Sequence, residues 1–89
     1  MIDIKYNGWT NYATWRINLE HFSDRDLEDL EENYGMCEDI HEIERSIRSE
    51  IEDYISTLSN NDMVVGYALA FLNEVDWYEI AKHIFQDIN

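Results

Sequence analysis

Between Ile40 and Leu58 the apolar residues Ile40, Ile43, Ile47, Ile51, Tyr54 and Leu58 recur at intervals of three, four, four, three and four. At 100° per residue they form a stripe along one side of an α-helix, a pattern that the two-residue period of a strand cannot produce. Ile55 widens the stripe, and the opposite arc holds Glu38, Asp39, Glu42, Ser46, Ser49, Glu50 and Asp53. The spacing predicts a long helix over about Cys37–Leu58, one face for a core and the other for solvent. At 1.5 Å of rise per residue, its two acidic clusters stand about 12 Å apart between Glu42 and Glu50, with serines between them. Other helices must cover the isoleucines.

Four further stretches supply them. Behind Thr10 or Asn11 as a cap, Tyr12, Trp15, Leu19 and Phe22 are spaced for the inward face of a first helix ending near His21 to Ser23. Ser23 or Asp24 can cap a short second helix, with Leu27, Leu30 and Tyr34 inward and Asp26, Glu28, Asp29, Glu31 and Glu32 outward, stopped by Gly35. Ser59-Asn60-Asn61-Asp62 is the clearest loop and opens a fourth helix of about Asp62–Asn73. Met63 to Leu72 carries no charge, so this helix is expected to be buried on most sides, with Gly66 and Ala70 as a small-residue face for a neighbour. Asp76 and Glu79 make a capping-box-like start to a last helix, Trp77 to about Ile88, whose inward face is Trp77, Ile80, Ala81, Ile84, Phe85 and Ile88.

Ahead of these, Ile2, Ile4 and Tyr6 alternate with polar residues up to an Asn7-Gly8 turn signal. With no segment at hairpin spacing to pair with it, this stretch is expected to be a short extended arm packed on helices. The absence of proline and the presence of only three glycines agree with short turns between helices. The expectation is an all-α fold, a compact bundle of four to five helices with an extended N-terminal arm, as one domain over residues 1–89.

Charge then narrows the partners. Thirteen of the 20 acids lie between Asp24 and Asp53, opposed only by Arg25, Arg45 and Arg48, so this window holds ten of the formal 14 net negative charges. With 45% hydrophobic residues the charge decorates a folded body and is not a disordered tail. Such a surface repels nucleic acid and anionic lipid, which excludes direct nucleic-acid or membrane binding, and it attracts basic clefts. Small domains need a net charge of only about 2–8 for solubility. The excess costs stability by self-repulsion, so solubility alone accounts for it poorly. No apolar run spans a bilayer, and the single Cys37 forms no internal disulfide, which fits a cytoplasmic protein.

Catalytic and metal readings find little support. Glu38-x-x-His41 is half of a di-iron carboxylate motif, but no second Glu-x-x-His exists and Glu38 and Glu42 point away from the isoleucine stripe. Glu38 and Asp39 beside Cys37 oppose a reactive thiolate. With no phosphate loop or nucleophile elbow, a non-enzyme without metal or cofactor is expected.

The segment Tyr6-Asn7-Gly8-Trp9 followed by Asn11-Tyr12-x-Thr14-Trp15 resembles an N-terminal signature of small uncharacterised proteins of bacteriophages and mobile elements. Its rings either fill the core or form a partner-contacting hot spot. In charge and size the chain also resembles the anti-CRISPR and anti-restriction proteins. That resemblance implies an inhibitor, acting in the host bacterial cytoplasm, that blocks the basic cleft of a nucleic-acid-binding host protein, a restriction nuclease or CRISPR complex. Its carboxylates would stand in for phosphates, with Asp26, Glu28, Asp29, Glu31, Glu32, Glu38, Asp39, Glu42, Glu50 and Asp53 as the partner-binding residues. The alternative is a non-catalytic helical adaptor or assembly module that binds through an aromatic and apolar surface, a homodimer included, with charge serving only solubility.

Overall fold

The structure, a computed structural model, describes residues 6–89. Ile2 and Ile4, which carry most of the expected N-terminal arm, lie outside the described residues. Five helices follow one another: α1 (Tyr12–His21), α2 (Leu27–Tyr34), α3 (Ile40–Thr57), α4 (Asp62–Leu72) and α5 (Trp77–Ile88). The all-α bundle expected from the spacings is the observed fold.

The caps show why the helices begin where they do. Asn11, Asp26, Asp39, Asn61 and Asp76 each sit in a non-helical conformation and accept a hydrogen bond from a backbone N–H of the first turn. Asp26, and not Ser23 or Asp24, therefore caps α2. Likewise α3 starts at Ile40 and not Cys37, because Asp39 accepts from the Glu42 N–H while the Glu42 carboxylate reaches back to the Glu38 N–H at 2.7 Å.

Helix α2 stops at Gly35 for a reason other than a left-handed turn. Gly35 keeps a right-handed helical conformation, but a Cβ there would clash with the Glu31 carbonyl oxygen. Gly35→Ala is therefore expected to cost about 1–2 kcal/mol in thermal or denaturant unfolding through local strain at that turn. Tyr6 and Trp9 form a tight pair across Asn7-Gly8, both central residues at positive φ, with reciprocal backbone hydrogen bonds of 2.7 and 2.8 Å. This correction to the unpaired arm follows from Asn-Gly favouring the primed turns that close two-residue hairpins.

The core forms between α3 and α5. Ile43, Ile47 and Ile51 of α3 meet Trp77, Ile80, Ala81 and Ile84 of α5, all buried, joined by Phe22, Leu30, Tyr34, Leu72 and Val75. In α1 the inward face is Ala13, Thr14 and Ile17, whereas Tyr12 and Leu19 are exposed. The large residues expected inside lie instead largely on the other side, where Tyr6, Tyr12 and Trp15 pack ring on ring. Small Ala13 and Thr14 let α1 approach the start of α5, which the bulk of Trp15 would prevent.

Helix α4 departs most from expectation. Only Leu72 is buried, and Met63, Val64 and Tyr67 are more than half exposed. Nothing approaches within 4 Å of a Cβ placed on Gly66, so its small-residue face meets no helix. The body measures 39 × 37 × 22 Å, and 22 Å is about two helix diameters. A two-layer bundle has no third layer to cover the outside of α4, whatever its hydrophobicity.

Candidate partner-binding surface

The acids singled out by the sequence lie on α2, α3 and the caps between them, and the structure divides them into two groups. Five hold the fold together. Asp26 and Asp39 cap helices, Glu42 bonds the Glu38 N–H, Asp29 takes the Nε–H of Arg25, and Glu50 takes both Arg25 and Tyr34. Glu28, Glu31, Glu32, Glu38 and Asp53 are exposed and have no hydrogen-bonded or ionic side-chain partner among the described residues. No base stands in the last turn of α2, so Glu31 and Glu32 face the negative end of its dipole unopposed.

Arg25 joins the two acidic helices. Its Nη1 donates to the Tyr34 hydroxyl at 3.0 Å and to Glu50 Oε2 at 3.1 Å, while the Tyr34 hydroxyl donates to Glu50 Oε1 at 2.6 Å. The guanidinium also lies over the Phe22 and Tyr34 rings, 5.5 and 5.1 Å from their centroids. Burial, then the Glu50 carboxylate, pushes the Tyr34 hydroxyl well above the ordinary phenol range, so it stays protonated as a donor. Sequence reasoning missed this hub, although Arg25 is the one arginine between Arg16 and Arg45.

The signature residues divide in the same way. Asn11 Oδ1 accepts from the Thr14 N–H at 2.9 Å and its hydroxyl at 2.7 Å, and Thr14 Oγ1 accepts from the Asp76 N–H at 2.8 Å. Asn11 Nδ2 donates to the Glu74 carbonyl at 2.8 Å, and the Thr10 N–H to Glu79 at 2.9 Å. Asn-x-x-Thr thus fastens α1 to the turn before α5. Trp9, half-buried, stacks on His83 at 4.4 Å between centroids, and Trp15 is half-buried under Tyr6. Both rings are packed against the body and leave edges at the surface.

A second surface was not foreseen. Between α1, the C-terminal part of α3 and α4 runs an open groove of about 540 Å³. Ile17, Ile55 and Leu72 line its depth, and Tyr54, Leu58, Ala68 and Phe71 line its walls, with Arg16, Glu20 and His21 along one edge. Tyr54 and Leu58, read from their spacing as core, are exposed there.

Fold and surface together define an acidic, all-helical protein with exposed, unpaired carboxylates and an apolar groove. No helix among the described residues is long and apolar enough to cross a membrane. The chain belongs to the family of unknown function DUF7249, whose model matches residues 2–89. No curated protein and no solved structure matches it.

Proposed function

We propose that the protein is a non-catalytic inhibitor that occupies the basic cleft of a nucleic-acid-binding protein, with a host defence nuclease, CRISPR effector or restriction enzyme, as the target class. The observation that carries this reading is the unneutralised set Glu28, Glu31 and Glu32 on α2, Glu38 in the turn after it and Asp53 on α3, with the two helices pinned together by Arg25. Carboxylates on joined helices keep fixed positions, as phosphates do along a nucleic acid. Lys and Arg that ordinarily neutralise phosphates would meet them, with steered association that weakens as salt rises. The likeness of residues 6–15 to phage and mobile-element proteins supports a host defence system as the setting.

The structural roles of Glu42 and Glu50 decide how to test it, since reversing them would damage caps and the Arg25 hub. Lysine at Glu28, Glu31, Glu32, Glu38 and Asp53 leaves those contacts intact. In competition with duplex DNA for purified restriction enzymes and CRISPR effectors at about 0.1 M salt, the parent protein is expected to compete and the reversed protein to lose at least about tenfold, or 1.4 kcal/mol, in affinity. Undiminished competition by the reversed protein would sink the proposal. The adaptor reading is favoured by one observation, the apolar groove, and under it charge reversal leaves partner binding unchanged.

A further inference from the structure

We infer that the pocket between the end of α2 and the end of α5 seats one arginine side chain of a protein partner. This names a contact within the acidic surface proposed above and rests on that reading only for which protein supplies the arginine.

Size and lining come first. The pocket has a volume of about 450 Å³. A single turn of helix, about 10 Å across and 5.4 Å high, would already fill it, so it suits a side chain and not an element of secondary structure. Its apolar lining is Met36, Cys37, Phe85 and Ile88. Cys37, Phe85 and Ile88 also pack against the core, which fixes that part of the wall, whereas Met36 is 92% exposed. An occupant that covers Met36 would take a large, adaptable apolar side chain out of water.

Charge selects the occupant. Glu31 and Glu38 line the same pocket, their carboxylates have no hydrogen-bonded or ionic side-chain partner, and no Lys, Arg or His among the described residues lines it with them. Helix α2 ends there, with Gly35 as its C-cap and no base in its last turn, which adds the negative end of its dipole. Both features favour a cation. Two carboxylates beside an apolar wall are too few donors for a hard metal ion, which takes about six or more oxygens. A long side chain with an apolar stem and a charged head matches both parts of the lining. Arginine matches it better than lysine, because its guanidinium is weakly hydrated, stacks on rings such as that of Phe85 and offers five N–H donors to carboxylates, whereas the lysine ammonium is a compact, strongly hydrated charge.

Three blocked peptides, Gly-Gly-X-Gly-Gly with arginine, lysine or citrulline at X, test it by amide chemical shifts; citrulline has nearly the shape of arginine without its charge. The arginine peptide is expected to shift the amides of residues 35–38 and 85–89, with the lysine peptide about threefold and the citrulline peptide at least about tenfold weaker. Glu31→Gln, Glu38→Gln and Met36→Ser, all at exposed positions, should each weaken the arginine peptide at least about threefold. Asp62→Asn removes an equal charge from the start of α4, outside the pocket, and should leave binding unchanged, which separates the pocket from general attraction. The inference is overturned by no shift at these amides up to about 10 mM peptide, by equal binding of the citrulline peptide, or by equal losses in Asp62→Asn and Glu31→Gln. Competition with duplex DNA reports separately on the inhibitor reading. Arginine binding without competition supports the pocket and removes the nuclease as its partner, while competition without arginine binding overturns the pocket and leaves the inhibitor.

Discussion

Arg25→Met is expected to lower the unfolding free energy by about 2–3 kcal/mol, seen as a reduced denaturant midpoint with little change in slope. Methionine keeps much of the packing over Phe22 and Tyr34 but removes the cation that Asp29 and Glu50 share. Arg25 is only 19% exposed in its side chain, against 42% for Asp29 and 43% for Glu50, so the loss falls short of that for a fully buried pair. A double-mutant cycle with Glu50→Gln should recover part of the loss, because the neutral amide no longer needs the guanidinium. Tyr34 adds a dependence on pH. Its folded hydroxyl holds its proton above the pH at which an unfolded tyrosine, near 10, releases it. The stability linked to that proton is therefore present below pH 10 and is lost as pH rises beyond it. Tyr34→Phe should flatten that alkaline decline.

What could be read from the chain follows the range of the interactions involved. Helices α3 and α5 were legible because their apolar spacing and local caps are properties of residues three and four apart. The same holds for Gly35, although the sequence did not show that its lack of a Cβ, and not a positive φ, was what mattered. In α1 large residues outweighed small ones in the reading, and only the approach of α5 reveals that Ala13 and Thr14 face inward. An uncharged segment such as Met63–Leu72 likewise does not say how many of its sides are covered. That depends on the number of layers, and here two layers leave α4 open. The exposure of Glu28, Glu31, Glu32, Glu38 and Asp53 follows from helical spacing and local turns, whereas the recruitment of Glu50 into the hub does not, since Arg25 and Glu50 stand 25 residues apart.

Thr14→Val is the case in which local and distant contacts meet, and it is expected to cost about 2–3 kcal/mol despite removing almost no volume. Thr14 is fully buried and is the one buried polar residue of the described core. Valine would leave the Asp76 N–H without an acceptor and Asn11 without one of its two donors, beside a side chain that is itself fully buried. Thr14→Ser keeps both bonds and should lose only about 1 kcal/mol, for the missing methyl. The serine and valine variants thus separate polar satisfaction from packing. Hydrogen exchange would locate the damage, with valine releasing amides at the start of α1 and the turn before α5 while those of α3 stay protected. A valine variant as stable as the parent would mean that the Asn-x-x-Thr pair in the signature does not fasten the helices. Its residues would then have to be explained by contacts with a partner. If the valine variant is unstable as expected, Asn11 and Thr14 are first a structural clasp, and only the exposed Tyr6 and Tyr12 and the surface edges of Trp9 and Trp15 remain free to recognise anything.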